Sequence, residues 1–551
     1  MALLVVQQML KLGGHNCTEP LMSVLASCGR QIKMRPIESS GSISEHVLGM
    51  VELAKLIDEI RPKKNEIWSF RKNDALIYCP SSYTFLYRAD GKLWQQLNRK
   101  LNNVRRNFLK NAIIRNRGYG NSVLHIEEDV FNPYEDAILG GLLREKQVEL
   151  KHFTTVMSLI AVNQCIPAFR LPNAVMLHHS KLRAIGQLIN SNNRKRREKL
   201  NFQFLDYSKA VKADIGEVLV ASALSGREKI LAVCDLPIEW ISSGQLPLMF
   251  SHEISRVPST PGNVTLDTLL SRTKVIYPYS ALCDVLIVRS FDEGDPIKEH
   301  LVSRVKRCID MNRLPGINIS IVDIFDRESL VRALNDFSGL MVIFDCHGGH
   351  GGEEDAAWLN VGAERLNIWH IYQEARVPPI VVLAACSTHP VEGSHASVAN
   401  GLLESGVQSV IGTFAPIDST HAAVFVTRLL ERIALYLPVV LKVRPYTWRE
   451  IVTRLLRMSY VCDVLDSLMG EHKLLTQAQC DSIRLEVGVS IDVEEDEMWF
   501  EKFKASICNV IGYDDEQIKN MWDLNFQFVD TMLFVQLGRP ENIVISERVP
   551  D

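Results

Sequence analysis

The chain has 551 residues, 46% hydrophobic and 23% charged, with a formal net charge of −4. That balance excludes disordered and fibrous classes, and the near-neutral charge gives no electrostatic footprint for nucleic acid or an anionic membrane across the whole molecule. The length exceeds one ordinary core and, at about 100–200 residues per domain, implies two to four units.

No apolar run approaches the ~18 residues that span a bilayer, so no membrane span is expected. The apolar start, residues 1–6, lacks a basic stretch before it and reads as a buried element rather than a signal peptide. The 12 cysteines form no CxxC pair, and with no export signal they read as reduced thiols of a cytoplasmic protein.

Residues 1–210 read as a mixed α+β region. Ser42 with Glu45 three residues later forms a capping-box pattern, followed by a helical face of Val47, Leu48, Val51, Ala54 and Ile57. Strand-like runs follow at residues 66–70, 75–79 and 83–88, with a turn at Asp90-Gly91, and residues 148–189 are mostly helical in pattern. Two basic clusters lie here: residues 100–117, with Arg105, Arg106, Lys110 and Arg115, and residues 194–197. Such clusters supply phosphate contacts to nucleic acid, or are simply solvated faces; no aromatic interleaving favours the first. Residues 192–200 are the expected linker.

Residues 211–280 open a second part, with a buried strand at 229–235. From residue 281 a regular alternation begins: strand 285–288, helix 298–311, strand 317–324, helix 328–337 and strand 340–346. A glycine-rich loop, a helical stretch over 364–375, strand 379–386, helix 397–405 ended by Gly406, strand 407–414 and helix 421–435 continue it. Continuous apolar strands alternating with amphipathic helices specify an α/β fold: a mostly parallel sheet sandwiched by helices, here preceded by the α+β N-terminal region. The end of the chain, residues 542–545, reads as an added strand.

Functional groups of open α/β sheets collect beyond the carboxyl ends of strands. Two strands here end in reactive residues, one in Cys346-His347-Gly348 and the other in Ala385-Cys386-Ser387. If the two are parallel neighbours about 4.8 Å apart, His347 meets Cys386. An imidazole favours the thiolate form of a nearby thiol and later protonates a leaving amine. Gly348, lacking Cβ, exposes a backbone N–H that forms an oxyanion hole with that of Cys386. Singly, each residue has an ordinary reading, a core thiol or a turn; joined on adjacent strands they point to chemistry.

Two other chemistries use the same residue types. Cys346, His347, His350, Cys386, His389 and His395 are zinc-ligand types, but the spacing matches no zinc pattern, and no metal or cofactor is expected. Gly348–Gly352 as a phosphate cradle is opposed by the acidic residues that follow and by the missing Gly-Lys-Ser/Thr element.

The block from His347 onward resembles a CHAT domain, the peptidase domain related to caspases, separases and gingipains. The matching residues are the two strand ends, Gly401-Leu402-Leu403, the run Gly406-Val407-Gln408-Ser409-Val410-Ile411-Gly412, and Pro416-Ile417-Asp418. Residues 234–259, with their Leu-Pro stretch and Pro258-Ser259, are similar to the first half of such domains. The resemblance implies a caspase-like fold with residues 211–280 as its first half, residues 281–551 as its catalytic half, and residues 1–210 as a regulatory or sensor region. It implies a cysteine endopeptidase with a dyad of Cys386 and His347, with His350 as rival base. It further implies a protein substrate, an activating sensor or partner subunit, and a place in bacterial signalling or defence; the alternative is a silent scaffold. Arg289, Asp292, Asp295 and Glu353 are the expected substrate-pocket residues, and their excess of carboxylates leans toward a basic or neutral side chain before the scissile bond.

Overall fold

The computed structural model describes residues 17–30, 42–61, 72–81, 92–120, 132–189, 196–270, 274–350, 356–390, 395–493 and 498–547. It divides into two compact units. The first comprises Met1–Ser180, Ser208–Ile238 and Val257–Leu269, and the second Lys181–Tyr207, Glu239–Arg256 and Leu270–Asp551.

In the first unit, β1 (Ala75–Tyr78) is the middle of three parallel strands, flanked by β2 (Ala168–Arg170) and β3 (Lys229–Val233). Every residue of β1 and β2 is buried, as expected of strands covered on both faces. The helix Ile43–Ile60 starts on the expected capping box, Ser42 accepting from the Glu45 N–H while the Glu45 carboxylate accepts from the Ser42 N–H at 2.7 Å. Its buried face is His46, Gly49, Met50, Val51, Leu53, Ala54 and Ile57, and Leu48, expected inside, is 52% exposed. Residues 66–70, 83–88 and the Asp90-Gly91 turn lie outside the described residues, as do 192–195 of the expected linker; from Arg196 onward the chain is the helix Arg196–Ile215.

The second unit carries β4 (Glu253–Val257), β5 (Asp284–Ser290), β6 (Asn318–Asp323), β7 (Met341–Cys346), β8 (Ile380–Leu383), β9 (Ser409–Thr413) and β10 (Phe534–Gly538). Their spatial order is β4-β10-β9-β8-β7-β5-β6. All neighbours pair in parallel except β9 and β10. Helix His300–Asp310 links β5 outward to β6, whereas Arg327–Asp336 and Val398–Glu404 link strands in the opposite direction. Right-handed crossovers therefore put the first helix on one face and the other two on the second, the two-sided cover that the apolar strands require.

Two local readings change. Residues 364–375, expected helical, are a strand, Glu364–Leu366, and a short 3-10 turn, Ile368–Gln373. The cause is Gly362, whose positive φ of 59° turns Trp358–Val361 back onto Glu364–Leu366. The C-terminal strand Ile543–Ser546 forms as expected, but pairs with Tyr446–Thr447 and Val275–Pro278 in a separate small sheet. It is β10, just before it, that enters the main sheet.

Among the described residues no helix is long and apolar enough to cross a membrane.

Candidate functional site

β7 is buried along its whole length, and its apolar side chains anchor it between β5 and β8. Its register with β8 pairs Met341 with Ile380 and Phe344 with Leu383, and the Ala384 N–H continues the ladder by donating to the Phe344 carbonyl at 2.9 Å. His347 and Cys386 each follow three residues after the Phe344–Leu383 pair, past the end of the paired register. The close approach of the two tips is visible at Gly348, where a Cβ would stand 2.8 Å from the carbonyl oxygen of Cys386.

Beyond its tip, β7 runs into a hairpin. Gly348 and Gly349 pair with Leu359 and Trp358, and the His347 carbonyl accepts from the Asn360 N–H at 2.8 Å. The backbone around the imidazole is thus fixed on both sides. The ring itself is 46% exposed, and its Nε2 lies 2.6 Å from Asp295 Oδ2. Phe291 meets it edge to face, at 5.6 Å between ring centroids. Asp295 is itself held, Oδ1 accepting from the Ile297 N–H at 3.0 Å. Its desolvation works against ionisation, but the bonds from His347 and Ile297 outweigh it and lower the carboxyl pKa.

Cys386 is half-buried, and its thiol donates to the Ile417 carbonyl at 3.6 Å. Burial raises the thiol pKa, and the Asp418 carboxylate adds to the rise. Asp418 is fixed as the N-cap of the helix Ser419–Glu431. The residue after the thiol, Ser387, is buried with a φ of 50° in the left-handed region, so the chain turns sharply there. Thr388 and Thr413 stitch that turn to the end of β9: Thr388 Oγ1 accepts from the Thr413 N–H at 2.9 Å, and Thr413 Oγ1 donates to the Ala385 carbonyl at 2.9 Å. A cavity of about 570 Å³ adjoins this tip, with Pro416, Ile417, Asp418, His421, Arg196 and Arg197 in its wall.

The expected pocket residues separate. Asp295 binds His347, while Asp292 is exposed and offers its carbonyl to the Asp295 N–H at 3.2 Å. Arg289 is 5% exposed, and its guanidinium faces Glu299 at 3.3 Å, Asp323 at 3.4 Å and Asp345 at 3.9 Å. Glu353 lies outside the described residues. His350, the rival base, is half-buried one residue past the Gly348-Gly349 pairing. Among the described residues no group of three or more His, Cys, Asp or Glu is arranged to hold a metal ion.

Sequence reasoning did not foresee two contacts: that of Asp295, expected in the substrate pocket, with His347, and that of the Ile417 carbonyl with the Cys386 thiol. Asp295 is 52 residues from His347 in sequence, so only the adjacency of β5 and β7 joins them. Ile417 did lie in a run that resembled the family, which was a signal of position but not of role.

Comparison with known proteins gives three results. Residues 299–437 match the family model of the CHAT domain. Two solved structures of the Saccharomyces cerevisiae separase–securin complex are similar at 12% identity, with TM-scores of 0.25 and 0.26. They cover 76% and 80% of this chain, which in turn spans 25% and 26% of the matched chains. No curated protein matches.

Proposed function

We propose that the chain is a cysteine endopeptidase in which Cys386 is the nucleophile, His347 the general base and acid, and Asp295 the residue that positions the imidazole. The reading rests on one observation above all: two neighbouring parallel strands, paired up to Phe344 and Leu383, whose continuations approach where a Cβ on Gly348 would stand 2.8 Å from the Cys386 carbonyl oxygen. The matching CHAT family model supports it over the range that holds both residues.

The steps follow from the groups present. His347 takes the thiol proton, and the thiolate attacks the substrate carbonyl carbon. The backbone N–H groups of Gly348 and Cys386 receive the oxyanion. The imidazolium, oriented and stabilised by the Asp295 carboxylate, then protonates the leaving amine, and water hydrolyses the thioester with His347 again as base. Asp292 and Glu353 carry the expectation of a basic or neutral side chain at the cleaved position.

The thiol bonded to Ile417, its pKa raised by burial, describes an enzyme at rest. Activation by a partner protein or sensor, in a signalling or defence setting, would raise a low basal activity of the chain alone by releasing Cys386 from that carbonyl toward His347. The same observation favours a second reading, a scaffold that keeps the fold with an unreactive thiol.

A peptide library separates the two. Incubated with the wild-type chain it should yield new termini, which vanish with Cys386→Ala and with His347→Ala. Termini that persist in Cys386→Ala, or none with the wild type, overturn the peptidase reading.

A further inference from the structure

We propose a modification site in the first unit: a disulfide formed between Cys28 and Cys165 under oxidising conditions. The two sulfur atoms stand 3.9 Å apart, although the residues are 137 positions apart in sequence. Sulfur atoms in van der Waals contact need an approach of about 2 Å to bond, a distance that side-chain rotation covers when the backbones are suitably placed.

The backbones here are fixed by helix ends. Cys28 closes the helix Glu19–Ser27, its N–H donating back to Val24 and Leu25. Cys165 closes the long helix Leu139–Gln164 in the left-handed conformation, with its N–H on Val162. These two helices pack on each other, so both thiols are carried on one rigid pair. Access distinguishes this pair from the others. All 12 cysteines fall within the described residues, and Cys28 is the exposed one; seven are buried and the remaining four, Cys165 among them, are intermediate.

The chemistry balances with hydrogen peroxide as oxidant. The Cys28 sulfur attacks one peroxide oxygen, the O–O bond breaks, and water leaves with the thiol proton, giving a sulfenic acid. The Cys165 sulfur then attacks that sulfur, the S–O bond breaks, and a second water leaves. Two thiols lose two electrons in total, and the peroxide gains them. Exposed Cys28 suits the first step, and half-buried Cys165, already in contact, the second.

The test uses the full chain, treated with hydrogen peroxide, blocked with N-ethylmaleimide and digested without reductant for mass spectrometry. The expected product is a Cys28–Cys165 linked peptide, two hydrogens lighter than the reduced pair and reversed by dithiothreitol. Cys28→Ser should abolish it and leave Cys165 alkylated, and Cys165→Ser should leave Cys28 as a sulfenic or more oxidised acid. Circular dichroism of both variants confirms that they fold. The site is overturned if both thiols of the folded wild type remain alkylatable, or if Cys28 links to a second chain while Cys165 stays reduced.

Discussion

The carbonyl oxygen of Cys386 lies 2.8 Å from the point where a Cβ on Gly348 would stand. The two strand tips therefore leave no room for a side chain at position 348, which would push them apart. Substituting Gly348→Ala should cost about 1–3 kcal/mol through overpacking. A lowered urea midpoint, with the m-value unchanged, checks this. Peptide cleavage should fall further than stability explains, because the displaced N–H is the proposed oxyanion donor.

Asp295 and Asp292 make a matched pair for testing the imidazole's partner. Asp295→Asn keeps the side-chain shape but removes the charge facing His347 Nε2. It should lower kcat roughly 100-fold, within the range of general acid–base effects. Asp292→Asn, at an exposed carboxylate proposed to face the substrate, should raise KM for a basic substrate and leave kcat near the wild-type value. Equal effects from the two would remove Asp295 from the site.

How far the sequence revealed this site depends on range. His347 and Cys386 were legible because each ends an apolar run, and the period of that run is local information. The capping box at Ser42 and Glu45 was legible for the same reason. Asp295 was named for the substrate pocket and its bond to His347 was not foreseen, since that bond depends on which strands are neighbours. The hairpin at Gly362 was read as helix because Glu364–Leu366 has no alternation long enough to mark a strand. β10 comes from the far end of the chain and inserts antiparallel beside β9, a pairing no local pattern encodes.

Gly362 yields a stability prediction. A Cβ there would fall 1.9 Å from the Phe325 carbonyl oxygen, and the φ of 59° disfavours any side chain. Gly362→Ala should destabilise by about 1–3 kcal/mol or more. Gly141, in the helix Leu139–Gln164 with nothing within 4 Å of its Cβ position, is the control. Gly141→Ala should be stabilising by about 0.5–1 kcal/mol. Thermal unfolding of the two variants checks both signs.

The buried Asp345 gives a pH dependence. Burial raises its pKa from 3.8 to about 7, with Asp323 and Glu299 adding to the rise and Arg289 opposing it. The folded chain therefore holds a proton that the unfolded chain has released across that interval. The resulting stabilisation is complete below about pH 4 and is lost as pH rises through about 7, with a slope of at most about 1.4 kcal/mol per pH unit. Asp345→Asn should flatten that part of the stability curve. Unfolding midpoints of both proteins across the range decide it, and parallel curves would contradict the assignment.

The account turns on whether His347 makes Cys386 reactive. The most direct measurement is the rate at which a peptidyl acyloxymethyl ketone alkylates Cys386, followed by mass spectrometry in the wild type and in His347→Ala. The account predicts a single adduct at Cys386 in the wild type and a rate at least about 100-fold lower in the variant. Equal rates in the two proteins, or an adduct on another cysteine, would contradict it.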